Sequence, residues 1–178
     1  MVIGLTGPNA SGKGEIARYL MEEGYAYHSL SDVVREEAGI RGLDPTRENL
    51  INIGNELRAN FGPSVLAERI RKRLTGKDTV DSIRNPYEVM ELKKEPHFLL
   101  IAVDAPVELR FAWSLQRGRA GDGMTLDAFI EKEERENSLD PSAQQLRECM
   151  KLAGLIIIND GDLDDLRKKV EQVLTFSF

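Results

Sequence analysis

Five short apolar runs punctuate the chain, and the segments between them have the pattern of amphipathic helices. Residues 2–6, 98–104 and 155–159 contain almost no polar side chain, and two further runs cover 26–30 and 79–83. Strands that lack polar alternation and are each followed by a helix are typical of a parallel sheet covered on both faces. The fold is therefore predicted to be α/β, with a three-layer, doubly wound parallel sheet of about five strands.

The intervening segments start and stop at residues that favour helix ends. Asn85 is an N-cap before Pro86 in the first turn, and Gly62 ends another segment. The predicted helices cover 14–23, 31–40, 46–62, 63–74, 85–94, 106–118, 125–137, 140–154 and 162–174. No linker or repeat separates them, so residues 1–178 are predicted to form a single domain. Such folds bind ligands beyond the carboxyl ends of their strands.

Charge and cysteine content limit the possible functions. The net charge of −6 argues against an obligate nucleic-acid-binding protein, because phosphate contacts need a basic surface. Cys149 is the only cysteine, which favours a reducing compartment. The first apolar stretch, about five residues, is far too short for a signal sequence or membrane span. We expect a cytoplasmic protein whose partners are nucleotide small molecules, not nucleic acid or membrane; the oligomeric state stays open.

The first predicted strand leads into a glycine-rich loop. Residues 7–13 read Gly-Pro-Asn-Ala-Ser-Gly-Lys, which fits the P-loop spacing between a strand and a helix. The backbone N–H groups of such a loop converge on an anion, and Lys13 supplies a positive charge for the β- and γ-phosphates. The predicted nucleotide-binding residues here are Gly7, Asn9, Ala10, Ser11, Gly12, Lys13, Gly14 and Glu15.

Gly14 stands where a P-loop usually has Ser or Thr, and this Gly-Lys-Gly form resembles the loop of adenylate kinase and its relatives. The resemblance to these nucleoside monophosphate kinases continues through 29–36, 80–89, 103–122 and 155–166. It is closest to a branch of P-loop kinases described as dephospho-CoA kinase-like. A similar module precedes a cytidylate deaminase domain in some two-domain proteins, which implies a deaminase-type partner domain in relatives.

The resemblance implies a ring of cations around two anionic substrates, with ATP and Mg²⁺ as cofactors. It implies a helical acceptor-binding insert at about 31–74 and a lid at about 117–140. The implied catalytic residues are Lys13, Arg84, Arg117 and Arg119, and the implied acceptor-binding residues are Ser31, Arg35, Arg84 and Arg119. Further implied nucleotide contacts are Trp113, Arg117, Asn159 and Gly161. Arginine suits these places because it binds phosphate oxygens bidentately.

Several residues depart from the kinase pattern or allow two interpretations. Glu15 replaces a threonine that touches phosphate, so its carboxylate either repels phosphates or faces solvent from the first helical turn. Ser82 replaces a glycine. Trp113 replaces an arginine that stacks on adenine, and it either stacks on a base or packs in the core. Asp81 either holds Mg²⁺ through water or caps a turn. The acidic run 131–136 is interpreted as a solvated helix face.

The predicted function is ATP-dependent phosphoryl transfer to a nucleoside or deoxynucleoside monophosphate. The alternative is a nucleotide-binding regulatory or sensing module with weak or no kinase activity, motivated by Glu15 and the deaminase-fused relatives. A dephospho-CoA kinase-like activity is a second alternative, although no feature of the sequence demands a pantetheine groove. The acceptor's identity depends on the shape of a pocket built from the loops near 31–70.

Overall fold

A sheet of five parallel strands forms the centre of the molecule in a computed structural model, which describes residues 1–118, 125–141 and 143–176, without the side chains of Arg47 and Phe176. The strands are β1 (Val2–Thr6), β2 (Ala26–Ser29), β3 (Asp78–Asp81), β4 (Phe98–Asp104) and β5 (Leu155–Ile158). Their order is β2-β3-β1-β4-β5, and each pairing is parallel. The predicted doubly wound α/β fold is confirmed.

Helices cover both faces of this sheet. They are α1 (Lys13–Glu22), α2 (Leu30–Ile40), α3 (Arg47–Phe61), α4 (Val65–Arg71), α5 (Pro86–Leu92), α6 (Val107–Arg117), α7 (Leu126–Glu134), α8 (Leu146–Lys151) and α9 (Leu163–Phe176). In the part of the chain that the structure describes, none of them combines the length and the apolar character that a membrane crossing needs.

Alternate residues of the central strands point into two separate cores. Ile3 and Leu5 of β1 pack on the side of α1 and α9, whereas Val2 packs on the side of α2, α3, α4 and α5. Each fully buried aliphatic side chain stabilises the fold by about 1.5–3 kcal/mol. This two-sided burial explains why the strands show no polar alternation. It also fixes β1 at the middle of the sheet, with the P-loop at its carboxyl end.

Several predicted helices are shorter in the structure, and the largest difference is at α8. The range 140–154 was expected to be helical throughout, but α8 begins only at Leu146. The preceding residues are held by α5 instead: Nδ2 of Asn85 donates to the carbonyl oxygens of Pro141 and Ala143, at 2.6 and 2.8 Å. The backbone N–H of Gln145 donates to the carbonyl oxygen of Arg84 at 2.7 Å. These long-range bonds replace the helical bonds that local sequence favours.

Candidate functional site

Two glycines of the P-loop hold a backbone conformation that other residues rarely adopt. Gly7 has φ 139°, and a Cβ there would lie 2.0 Å from the carbonyl oxygen of Val103. Gly12 has φ 104°, and a Cβ there would lie 2.5 Å from Nδ2 of Asn159. Only glycine fits these two places without displacing β4 or the loop after β5. The spacing of the motif therefore has a steric cause in this fold.

Lys13 folds back over the loop that precedes it. Its Nζ donates to the carbonyl oxygens of Gly7 and Pro8, both at 2.7 Å. Desolvation lowers the pKa of Lys13 from its ordinary value of 10.5 to about 8; the negative charge of Asp81 raises it, and the positive charge of Arg84 lowers it further. An anion bound in the loop would therefore meet a lysine that is already in position, and its negative charge would stabilise the protonated form of that lysine.

The loop after β5 braces the P-loop from behind. Nδ2 of Asn159 donates to the carbonyl oxygen of Ser11 at 3.1 Å, and the backbone N–H of Asn159 donates to that of Asp104 at 2.7 Å. Asn159 is only 7% exposed. Its side chain therefore supports the cradle, while Gly161 lies in the exposed turn that follows. Direct contact of either residue with a nucleotide remains a prediction.

Glu15 is engaged by its own helix. Its carboxylate pairs with the Arg18 guanidinium at 2.6 Å, one turn later on α1. Both residues line a small cavity of about 120 Å³ between α1 and α9, together with Leu163 and Leu166. This arrangement matches the solvent-facing alternative for Glu15. Gly14 beside it is exposed, and among the described residues nothing beyond its chain neighbours and its own helix backbone lies within 4 Å of where a Cβ would stand.

A larger cavity, of about 320 Å³, opens beside the P-loop. That size is at the low end for small-molecule sites, which run from about 300 to 1,000 Å³. Its walls combine apolar side chains of the helical insert with polar groups from several loops. The lining residues are Asn9, Leu30, Ser31, Val34, Arg35, Pro45, Leu50, Ile51, Gly54, Arg58, Leu66, Ser82, Arg84, Arg117 and Gln144. Five predicted site residues, Asn9, Ser31, Arg35, Arg84 and Arg117, thus share one cavity.

Arg35 stands at the insert side of this cavity. Its Nη1 donates to Oγ of Ser31 at 2.8 Å and to Oδ1 of Asp32 at 2.6 Å. Both partners lie in the first turn of α2, so the guanidinium is held over the end of β2. The Arg35–Asp32 pair is about half exposed on each side. An exposed pair of this kind contributes little to stability, and an incoming phosphate can compete for the arginine.

Arg117 approaches from the other side, at the end of α6. Its Nη2 donates to Oδ1 of Asn9 at 3.0 Å, which joins the predicted lid to the P-loop. Trp113, one turn earlier on the same helix, is half-buried, and its stacking on a base remains a prediction. Arg119 lies outside the described residues. The cavity is therefore bounded by α2 on one side and by α6 on the other.

Arg84 follows β3 and is held by two residues of the connection between α7 and α8. Its Nη1 pairs with Oε1 of Glu136 at 2.8 Å and donates to Oε1 of Gln144 at 3.2 Å. Glu136 is only 3% exposed. The interpretation of 131–136 as a solvated face is therefore wrong for this residue, because it turns inward to meet a cation from another element.

A second inward carboxylate of the same run braces the P-loop. Glu133 pairs with Arg110, whose Nη1 also donates to the carbonyl oxygen of Asn9 at 3.4 Å. Burial raises the pKa of the Glu133 carboxyl, and the charge of Arg110 acts in the opposite direction. Sequence reasoning missed both residues. The spacing held a signal, since Glu133 follows the buried Phe129 by four residues on α7 and Glu136 comes three residues later, just beyond the helix.

Asp81 ends β3 beside Lys13, where a magnesium-linked carboxylate was predicted. It accepts hydrogen bonds from the Tyr27 hydroxyl at 3.2 Å and from the Ser82 backbone N–H at 2.6 Å. Burial and the charge of Asp81 raise the pKa of Tyr27 to about 12. Within the described residues, no group of three or more His, Cys, Asp or Glu could hold a metal ion. A Mg²⁺ held by one carboxylate and several waters suits such a donor set.

Ser82 keeps the backbone shape of the glycine that it replaces. It has φ 65°, a left-handed conformation that serine rarely adopts. Its Oγ accepts from Oγ of Ser29 at 3.1 Å, and Ser29 in turn contacts Oγ of Ser31 at 2.8 Å. Because Ser82 and Ser31 both line the cavity, the substitution adds a hydroxyl to its polar wall.

A buried ion pair that sequence reasoning also missed fixes the backbone of Arg84. Nε and Nη2 of Arg58 donate to Oε1 of Glu88, at 3.0 and 2.8 Å, and the two side chains are 4% and 0% exposed. Oε2 of Glu88 accepts from the backbone N–H groups of Arg84 and Asn85, at 3.0 and 3.1 Å. The insert helix α3 and the loop after β3 are thereby locked together.

Comparison with known sequences finds relatives of this chain in archaea. The chain is 32% identical over 187 residues to a UPF0200 protein from Pyrococcus furiosus, covering 100% of this chain and 98% of that one. It is 36% identical over 181 residues to a UPF0200/UPF0201 protein from Archaeoglobus fulgidus. That match covers 97% of this chain and 54% of the relative, so the chain spans about half of the longer protein. No family model matches.

Comparison with solved structures gives the fold. A shikimate kinase from Aquifex aeolicus superposes with a TM-score of 0.59 at 16% identity, covering 98% of this chain and 96% of that one. At this identity the likeness establishes the kinase-like P-loop architecture and nothing about substrate.

Proposed function

The chain belongs to the UPF0200 family, and we propose that it transfers the terminal phosphoryl group of ATP to a nucleoside or deoxynucleoside monophosphate. The kinase-like fold is compatible with this proposal. One observation carries it: a cavity lined by four arginines opens directly beside a P-loop whose lysine is in place. Asn9 belongs to both, since it is a P-loop residue and also lines the cavity.

The P-loop and the cavity beside it suit two anionic substrates. The P-loop and Lys13 would take the phosphates of ATP, while Arg35 and Ser31 would take the phosphate of the acceptor. An oxygen of the acceptor phosphate would then attack the γ-phosphorus as its bond to the β-phosphate oxygen breaks, which releases ADP. Such a transfer requires positioning and charge neutralisation more than covalent work by the protein.

Two arginines are placed to neutralise charge between the substrates. Arg84 acts electrostatically on Lys13 and lines the cavity, so it stands on the acceptor side of the P-loop. Arg117 lies across from it and contacts Asn9. Arg119 is proposed to join them from the lid. Mg²⁺ would be held by Asp81 through water and would supply further neutralisation of the ATP phosphates.

A sensing module with weak or no kinase activity is the second candidate, and the Arg84–Glu136 pair favours it. A catalytic arginine held by a buried carboxylate must exchange that partner for phosphate before it can act. The longer Archaeoglobus relative is also compatible with a module that regulates attached sequence. A cytoplasmic setting is proposed for either function.

The experiment is an ADP-release assay over AMP, CMP, dCMP, UMP, GMP, dTMP and dephospho-CoA, with the Lys13→Met variant as the inactive reference. Turnover with a nucleoside monophosphate supports the kinase. Preference for dephospho-CoA would replace the nucleotide acceptor by that substrate. ATP binding that stabilises the protein without any turnover supports the sensing module, since a ligand at about 100 times its dissociation constant adds about 2.7 kcal/mol.

A further inference from the structure

Arg58 lines the cavity of about 320 Å³ beside the P-loop, which the proposed function assigns to the acceptor. Its buried pair with Glu88 uses only one edge of the guanidinium. Arginine has five N–H donors in a fixed plane. Nε and Nη2 are bonded to Glu88. Among the residues that the structure describes, Nη1 reaches only Oδ1 of Asn55, at 3.5 Å, the outer limit of a hydrogen bond. The Nη1 edge therefore retains donor capacity.

Arg58 itself lines the cavity, and its remaining edge lies next to another residue of the wall. A Cβ built at Gly54, which lines the cavity, would lie 3.4 Å from Nη1 of Arg58. Glu88, to which the other edge is bonded, is fully buried and lies outside the described lining of the cavity. Val34 lies beside this position, since the same Cβ would lie 3.7 Å from its Cγ2, and Leu50 and Leu66 are further apolar residues of the wall. A rigid donor set in an apolar wall recognises the polar edge of a flat ring.

From this arrangement we propose that Arg58 selects the acceptor by donating a hydrogen bond from Nη1 to a carbonyl oxygen on the base. The inference rests on the proposed function and names the acceptor class: a monophosphate whose base carries a carbonyl oxygen, as in cytosine, uracil and guanine. Glu88 is the positioning partner, since it holds the guanidinium plane and the backbone of Arg84 at once. Adenine, which has no carbonyl oxygen, is disfavoured because the buried donor would be left poorly paired.

The test acts through Gly54, because replacing Arg58 would strand the Glu88 carboxylate in the core. Gly54→Ala adds one methyl group beside Nη1, at 3.4 Å from it and 3.7 Å from Cγ2 of Val34, which are ordinary contacts. The variant is expected to fold, since alanine favours a helix more than glycine does. Gly39→Ala is the matched control, because Gly39 is also helical and, in the described part of the chain, nothing outside its own helix backbone lies within 4 Å of where its Cβ would stand.

Calorimetry would measure the binding of CMP, UMP, GMP and AMP to the full chain, saturated with a non-hydrolysable ATP analogue. We expect the three carbonyl-bearing monophosphates to bind at least about tenfold more tightly than AMP. We expect Gly54→Ala to weaken them by about tenfold or more, with the affinity for the ATP analogue unchanged and Gly39→Ala equal to the native protein.

Two results would overturn the role of Arg58 while leaving the proposed kinase intact: Gly54→Ala binding the acceptors within twofold of the native protein, or AMP binding as tightly as the others. Failure of every monophosphate to bind the native protein would instead remove the proposed function, and the role of Arg58 with it. Thermal unfolding of both variants checks that any loss of binding is local.

Discussion

The lowered pKa of Lys13 makes nucleotide binding depend on pH in a range where few groups titrate. Lys13 titrates near pH 8 in the folded protein, because desolvation penalises its charged form. A phosphate in the P-loop needs the ammonium form. Nucleotide affinity should therefore fall as the pH rises through about 8, and the complex should take up a proton when it forms above that value.

The size of the effect follows from the titration of one group. Between about pH 7 and about pH 9.5 the protonated fraction of Lys13 falls from about 0.9 to about 0.03, so affinity should fall about 30-fold. Tyr27, with its pKa raised to about 12, stays protonated over this range. The charged groups that act on Lys13 are Asp81, Arg84, Glu136 and Arg110.

Calorimetric titration of ATP at a series of pH values, in buffers of different ionisation enthalpy, measures both affinity and proton uptake. Lys13→Arg is the matched control, since arginine stays charged, and its affinity should be nearly independent of pH. A native affinity that is constant to about pH 9.5, with no proton uptake, would contradict the account, in which phosphate binding requires the ammonium form of a Lys13 whose pKa is about 8.

The same shift has a consequence for stability. The unfolded chain binds more protons than the folded one between about pH 8 and 10.5, so the free energy of unfolding should rise with pH across that window. The contribution of Lys13 is about 3 kcal/mol at most, and it should vanish in Lys13→Met.

Three further predictions concern the framework of the site. Glu88→Ala should lower the free energy of unfolding, measured in urea, by about 3–5 kcal/mol, because it leaves the buried Arg58 without its partner. Glu36→Ala, which removes an exposed pair with Arg73, should lower it by about 1 kcal/mol or less. Equal losses for the two variants would contradict the importance of the buried pair. Gly7→Ala should lower the melting temperature markedly, since its methyl group would lie 2.0 Å from the carbonyl oxygen of Val103. Gly14→Ala should leave the melting temperature unchanged. An unchanged melting temperature for Gly7→Ala would show that the loop shifts to accommodate the methyl group. Glu15→Thr should change ATP affinity and turnover by less than about threefold, because the Glu15 carboxylate pairs with Arg18. A large gain in turnover would contradict this and would mean that Glu15 lowers the activity of the native loop.

Local patterns in the sequence were sufficient for the sheet and the P-loop. The run 98–104 is apolar enough to be a central strand wherever it is placed, and the glycines at 7 and 12 mark a βα turn. The start of a helix is predictable where its capping residues are neighbours in sequence. Asn85 is an example, since its capping box with Glu88 spans four residues. These features depend on neighbours a few positions away.

The interior of the site depends on contacts between distant residues, which one sequence does not reveal. Arg58 meets Glu88 across 30 positions, and Arg84 meets Glu136 across 52, so neither charge could be assigned a partner in advance. For the same reason the predicted start of α8 is wrong, since bonds from Asn85 hold Pro141 and Ala143 out of the helix. The acidic run 131–136 looked solvated because its two inward residues were counted with their exposed neighbours.

The most direct test of the account is to follow phosphorus in a mixture of the protein, ATP, Mg²⁺ and a monophosphate that it binds. The account predicts that ³¹P NMR will show ADP and the corresponding nucleoside diphosphate forming in equal amounts, at a rate that Lys13→Met lowers by at least about 100-fold. If ATP and the monophosphate are both bound at saturation and no diphosphate of the acceptor forms, phosphoryl transfer between the P-loop and the cavity is contradicted.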